Sequence, residues 1–216
     1  IECIEAKQSI EKVWLLKGQS GPLFKQLEFL LREQSIAHSY VPKERLDRFN
    51  AKNHQGAIAA ISPIEFVSIE EMIEKALAAT KTPLFLLLDH ITDTRNLGAI
   101  IRTASATGVA GIILPQTGSA RITSDTIKTS AGAIFSVPLA KVEHLKDAIY
   151  QLQANEIKTV GITEKAADTI FAKKLNSPLA LVMGSEEKGI ARGTLAVLDE
   201  TAKLPMVGAI ESLNVS

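Results

Sequence analysis

Asn96, Gly98 and Arg102 follow closely on an apolar run, Leu84–Leu88, in the stretch LDHITDTRNLGAIIRTASATG (88–108). Strand, polar loop, then helix is a layout that binds phosphate or cofactor at the start of the helix. An amide and a guanidinium near that start supply fixed hydrogen-bond donors and a permanent positive charge. Two further loops carry groups of the same kind. In LALVMGSEEKGI (179–190), Gly184 directly after an apolar run lets backbone approach a ligand closely, and Glu186 and Glu187 follow it. In LPMVGAIESLNVS (204–216), Pro205 requires a strand end or edge, Gly208 gives a turn, and Ser212 and Asn214 present a hydroxyl and an amide. By residue type alone each loop also has a plain structural reading. Asn96 could cap a helix with Arg102 a solvated charge, the glutamates could form an acidic turn, and Ser212 could open a helix.

These loops need elements to position them, and the chain divides into two blocks. In the first, KVWLL (12–16), HSYV (38–41) and GAIAAI (56–61) read as strands. GPLFKQLEFLLREQ (21–34) and PKERLDRF (42–49) read as helices, the first with Leu23, Leu27, Leu30 and Leu31 at helical spacing. A helix at 68–79 follows, with Ser68 and Glu71 placed for a capping box, and TKTP (80–83) ends a linker over 67–83. The second block alternates apolar strands at 84–88, 111–114, 134–138, 159–163, 179–183 and 202–206 with helices near 98–107, 122–131, 143–155 and 190–197. Strands apolar throughout and joined by helices predict an α/β fold with a parallel sheet covered on both faces. Ligands of such sheets lie beyond the carboxyl ends of the strands, which singles out the loops 89–98, 184–190 and 207–216.

Composition narrows the chemistry. No G-x-G-x-x-G turn and no Walker lysine loop occurs, which argues against ordinary dinucleotide folds and the common glycine-rich methyltransferase fold. His38, His54, His90 and His144 are scattered without metal-ligand spacing, so no metal is expected. The single cysteine, Cys3, excludes an internal disulfide framework. The longest apolar run falls far short of the about 20 residues that cross a bilayer, and no signal pattern opens the chain. A cytoplasmic protein is expected, and the lack of an initiating Met suggests a piece of a longer chain. Lys plus Arg and Asp plus Glu both number 24. Any RNA surface must therefore come from local patches or from an oligomer.

Together the three loops resemble motifs one, two and three of the SpoU/TrmH RNA ribose methyltransferases of the SPOUT class. The matching residues are N-x-G-x-x-x-R from Asn96, V-M-G-x-E from Val182 and L-P-M-x-G-x-x-x-S-L-N-V-S from Leu204. The first block is similar to the small ribosomal-protein-like α/β domain of the rRNA-methylating branch, above all in LDRFNAKNHQGAIAAISP (46–63). The resemblance implies an RNA substrate-binding domain over 1–66 and a trefoil-knot methyltransferase domain over 84–216. It implies that S-L-N-V-S opens a helix, continuing past Ser216, that closes the knot and contributes to a homodimer interface. The knot's last turn and the cofactor pocket are accordingly expected to be incomplete or mobile in this chain, without cofactor.

The same resemblance implies S-adenosylmethionine as cofactor and a ribose 2′-hydroxyl of rRNA as acceptor, with a guanosine of 23S rRNA as target. A tRNA enzyme of the same chemistry and a non-catalytic RNA-binding relative are the alternatives. The implied catalytic set is Asn96, Arg102, Glu186, Ser212 and Asn214, with Glu187 a competitor to Glu186. Met183, Gly184, Leu204, Met206 and Leu213 would line the cofactor pocket, and Arg95, Arg121, Lys128, His54 and Gln55 would touch RNA. Arg102 is often assigned as general base in this family. A guanidinium stays charged in proteins, so a grip on phosphate and on developing oxyanion charge suits it better. The proton acceptor is left open.

Overall fold

The computed structural model describes residues 1–5, 10–49, 54–206 and 215. The chain forms two compact units, Ile1–Glu65 and Phe66–Ser216. In the first, α1 (Glu2–Glu5) precedes β1 (Ile10–Leu16), α2 (Pro22–Glu33), β2 (His38–Val41), α3 (Lys43–Asp47) and β3 (Ala57–Ile61). The sheet order is β2-β1-β3, with β1 parallel to β2 and antiparallel to β3. Alternation along β1 gives the unit a core on each face of the sheet. Val13 and Leu15 pack with Phe24 and Leu31 of α2, whereas Trp14 packs with Val41 and Leu46.

The second unit runs α4 (Ile69–Ala79), β4 (Leu84–Asp89), α5 (Thr94–Thr107), β5 (Gly111–Pro115), α6 (Ser124–Thr129), β6 (Leu139–Val142), α7 (Leu145–Ala154), β7 (Lys158–Ile162), β8 (Leu179–Gly184), α8 (Arg192–Leu195) and β9 (Glu200–Ala202). Its strands form one parallel sheet in the order β6-β5-β4-β8-β7-β9. On one face Phe85, Leu87, Ile113, Ala180 and Val182 share a core with α4 and α7. The alternate residues Leu86 and Leu88, also buried, point to the other face. Residues 67–83 are therefore no free tether. Ser68 caps α4 by accepting from the Glu71 amide at 3.1 Å, and Ile69, Met72, Ile73 and Ala76 belong to this core.

Several elements differ from the sequence expectation. Residues 134–138 are not a strand: Ala131 and Gly132 adopt left-handed backbone, a 3-10 turn spans Ala133–Phe135, and pairing starts later, at β6. Pro138 has no amide to donate and contributes only its carbonyl, to the Ile112 amide at 2.9 Å. The last strand lies at 200–202 and leaves Pro205 outside it; the helix near 190–197 shortens to four residues. The expected third-motif turn and the knot fall mainly on 207–214 and 216, outside the described residues. No helix among the described residues is long and apolar enough to cross a membrane.

The edge strand β9 is tied down by charge. Glu200 pairs with Lys158 of β7 at 2.6 Å and with Lys173 at 3.3 Å, and Lys173 also meets Asp168. Hydrogen bonding from Lys158, then from Lys173, holds the Glu200 carboxyl below its ordinary 4.5. A lowered folded value stabilises the native state fully above the unfolded value and loses that effect as pH falls through the folded one. Glu200→Gln is thus expected to unfold at lower urea than the parent at pH 6, with the difference shrinking only as pH falls below 4.5 and through the lowered folded value.

Candidate active site

The winding of the chain reverses between the parallel strands β4 and β8: β4 leads outward to β5 on one side, and β8 leads toward β9 on the other. A crevice outside the carboxyl ends of strands at such a point is where open α/β sheets bind ligands. Leu88 pairs in register with Met183, and Asp89 with Gly184, so the loops after both strands leave the sheet side by side.

Each loop is fixed by its own hydrogen bonds. Asp93, not Asn96, caps α5: its Oδ1 accepts from the amides of Arg95 and Asn96 at 2.8 and 2.9 Å. The helix consequently starts at Thr94, ahead of the expected 98, and frees the Asn96 side chain for other work. In the loop after β8, the Gly189 amide donates to the Ser185 carbonyl at 2.8 Å and the Lys188 amide to Ser185 Oγ at 3.2 Å. Gly184 lies so close to the returning chain that a Cβ there would stand 2.0 Å from the Gly189 carbonyl carbon and 2.2 Å from the Ile190 nitrogen.

The loops are then joined to each other. Asn96 Nδ2 donates to Glu186 Oε1 at 2.7 Å, across 90 residues of chain. Asp89, 1% exposed, accepts from the Ala191 amide at 2.8 Å through Oδ2, and its Oδ1 meets His90 Nδ1. Between the loops lies a cleft of about 270 Å³, lined by His90, Asp93, Asn96, Ser185, Glu186 and Lys188 among others. Glu187 lines it too, but Glu186 is the glutamate that meets Asn96. Asn96→Asp would replace this donor by a second carboxylate facing Glu186. Faster amide hydrogen exchange over 184–190 is expected, with global unfolding changed by only about 1 kcal/mol.

Arg102 stands exposed on α5, with no side-chain hydrogen bond or ion pair among the described residues. Arg95 and Lys128 are exposed as well, and Arg121 is exposed but partnered. Gly98 is a packing position: a Cβ would come within 2.7 Å of Thr129 Cβ and 2.9 Å of the Thr126 carbonyl of α6. Met183 and Gly184 are half-buried at the strand end, whereas Leu204 and Met206 stay 43% and 40% exposed past β9. In the first unit His54 accepts from the Gly56 amide at Nδ1 and meets Asp47 at Nε2, and Gln55 is exposed in left-handed backbone. Ser212, Leu213 and Asn214 lie outside the described residues. No cluster of metal-ligating side chains occurs among the described residues.

Sequence reasoning missed Asp89, His90 and Asp93. The only signal for the first two was an Asp-His pair closing an apolar strand, a dipeptide with no characteristic spacing.

Comparisons with known proteins bear on the fold and the family. Residues 1–67 match the RNA 2′-O ribose methyltransferase substrate-binding model. The 23S rRNA (guanosine-2′-O-)-methyltransferase RlmB of Haemophilus influenzae is 38% identical over 207 residues, 95% of this chain and 84% of that protein. The protein of the same name from Pseudomonas putida is 37% identical over 208 residues, 96% and 84% of the two chains. Among solved structures, the SpoU methyltransferase AviRb from Streptomyces viridochromogenes in complex with AdoMet shares the fold. Its TM-score is 0.63 at 22% identity, covering 99% of this chain and 80% of that one. With residues 83–216 matching its model, the chain belongs to the SpoU rRNA methylase family.

Proposed function

We propose that this protein transfers a methyl group from S-adenosylmethionine to a ribose 2′-hydroxyl of rRNA, with a guanosine of 23S rRNA as target. The observation that carries the reading is the Asn96–Glu186 hydrogen bond, which joins the first two motif loops at the switch point of the sheet, on the helix that bears the exposed Arg102. The cofactor, when bound, supplies an electrophilic methyl on a sulfonium. The residues for it fit. Half-buried Met183 and Gly184 end a strand on backbone groups, and Leu204 and Met206 leave apolar side chains open to cover an adenine.

In this reading Arg102 grips the phosphate beside the target ribose and stabilises charge growing on the 2′-oxygen. Asn96 and Glu186 orient the loops around it, so much of the rate comes from holding the acceptor in line. Ser212 and Asn214 hold the ribose, and Leu213 joins the cofactor pocket. Residues 204–216 close a trefoil knot, and the active form is a cytoplasmic homodimer. Arg95, Arg121 and Lys128 contact phosphates near the site, and His54 and Gln55 contact RNA from the first unit.

Labelled methyl transfer onto undermethylated ribosomal RNA tests the function. One alkali-resistant dinucleotide in 23S rRNA, carrying a methylated guanosine ribose, is the expected product. Methyl found only on a base, or only on tRNA, would overturn the assignment.

A further inference from the structure

Resting on that function, we propose that a second cavity beside the methyl-transfer cleft seats the target base, with Glu143 accepting from the N1–H and the 2-amino group of guanine. The base of a nucleotide hangs on C1′, the carbon bonded to C2′, so its site must border the cleft that takes the 2′-hydroxyl. A neighbouring cavity meets that condition. About 430 Å³ of space lies at the ends of β4, β5 and β6, lined by Asp89, His90, Pro115, Glu143, Leu145 and Thr194 among others. His90 lines this cavity and the cleft, so its ring is their shared wall. That wall is fixed. His90 holds a left-handed backbone, φ 60°, its Nδ1 meets buried Asp89, and a Cβ on Gly118 would stand 2.7 Å from its Cδ2. Another cavity, at Glu74 of α4 and Gln151 of α7, shares no residue with the cleft.

The polar groups of the cavity divide into acceptors and donors. Glu143 follows β6, and its exposed carboxylate has no hydrogen bond or ion pair among the described residues. On the donor side, α7 starts at Leu145 with no side chain capping it, which leaves amides of its first turn open. Thr194, 6% exposed, lines the cavity with a hydroxyl that meets no partner among the described residues. A hydroxyl so deeply buried normally has a partner, and here a ligand supplies it.

Guanine matches both sets. Its pairing edge carries two adjacent donors, N1–H and the 2-amino group, which a carboxylate accepts together, and O6, which takes the donors. Adenine would turn a lone pair at N1 toward the carboxylate. Phosphate fits poorly, because Asp89, Glu143 and Asp147 set three carboxylates against it, although His144 and Lys146 also line the space. Of the two exposed carboxylates, Asp147 lies in the first turn of α7, where the helix start already favours a negative charge. Glu143 stands ahead of that turn and has no such structural duty. Seating the base here takes the nucleotide out of its stack, at a cost these hydrogen bonds offset.

Single-turnover transfer by the intact protein tests this on 23S rRNA fragments carrying guanosine, inosine or adenosine at the methylated position. Inosine lacks only the 2-amino group, so the parent should methylate it about tenfold more slowly than guanosine, and adenosine about 100-fold more slowly. Glu143→Gln should keep the parent's urea midpoint, since the side chain is exposed. It should nevertheless treat guanosine and inosine alike and bring adenosine within about tenfold of guanosine. Thr194→Val should slow guanosine and inosine equally, because both carry O6, and Asp147→Asn should keep the parental ratios. Equal parental rates on guanosine and inosine, parental ratios in Glu143→Gln, or loss of those ratios in Asp147→Asn would each overturn the inference. A parent that transfers no methyl to any ribose would instead sink the function on which it rests.

Discussion

Gly184→Ala is expected to be the most damaging single methylene-sized change in the second unit. The added Cβ would stand 2.0, 2.2 and 2.3 Å from Gly189 C, Ile190 N and Gly189 O, all of them backbone. No rotamer relieves a clash with main chain, so the loop 184–190 must open. Opening pulls Ala191 from Asp89 and Glu186 from Asn96, and the two motif loops lose their common frame. A destabilisation of about 3 kcal/mol is expected in urea unfolding, at the upper end for overpacking. Methyl transfer should fall below detection even where the variant is still folded. Gly108 serves as control: it has positive φ, 73°, yet a Cβ there meets nothing within 4 Å. Gly108→Ala should cost only the left-handed penalty of about 1 kcal/mol and keep full activity. Equal unfolding midpoints for the two variants would show that the loop has slack its geometry denies.

Arg102→Ala separates chemistry from stability in the opposite direction. The side chain is exposed and unpaired among the described residues, and alanine is an excellent helix former. Unfolding free energy should therefore stay within about 0.5 kcal/mol of the parent. Single-turnover methyl transfer should drop by about 10²–10³-fold, the usual consequence of removing one preorganised donor to a developing oxyanion. Arg102→Lys should remain slow, because an ammonium keeps the charge but not the two-pronged grip on phosphate. Methyl transfer by Arg102→Ala at the parental rate would remove this residue from the catalytic set.

What the sequence revealed follows from how each feature is encoded. Long apolar runs such as LFLLL and LALVM leave a buried parallel strand few alternatives, and β4 and β8 lie where these runs stand. A five-residue run broken by a serine and ending in proline is weaker: IFSVP reads as a strand, yet the left-handed pair Ala131–Gly132 ahead of it turns the chain first. The cap of α5 was left open for a similar reason. Asp93 and Asn96 are both good caps, and only the coordinates show that Asp93 takes the amides while Asn96 reaches Glu186. The partnership of Asn96 with Glu186 was legible only as family resemblance, since nothing local to either residue encodes a contact 90 positions away. His90 was read only as one of four scattered histidines, because its contact with buried Asp89 rests on a backbone angle that a residue type does not announce. Residues 67–83 read as a linker because charge on one side of α4 hides the apolar stripe that packs on Phe85 and Leu87.

The position of β8 between β4 and β7 also sets when this protein becomes competent during its synthesis. Strands β4, β5 and β6 pair in chain order and can assemble as soon as they are made. Until β8 arrives, the inner edge of β4 is an unpaired row of amides and carbonyls, an aggregation risk for any nascent chain held at that stage. The cleft has only half its walls in the same interval, so a partly made chain has no means of committing a substrate. Pulse-labelled hydrogen exchange during refolding is expected to protect amides of β5 before those of β8. Competence to transfer methyl should then rise with β8 protection, as a late and all-or-none event.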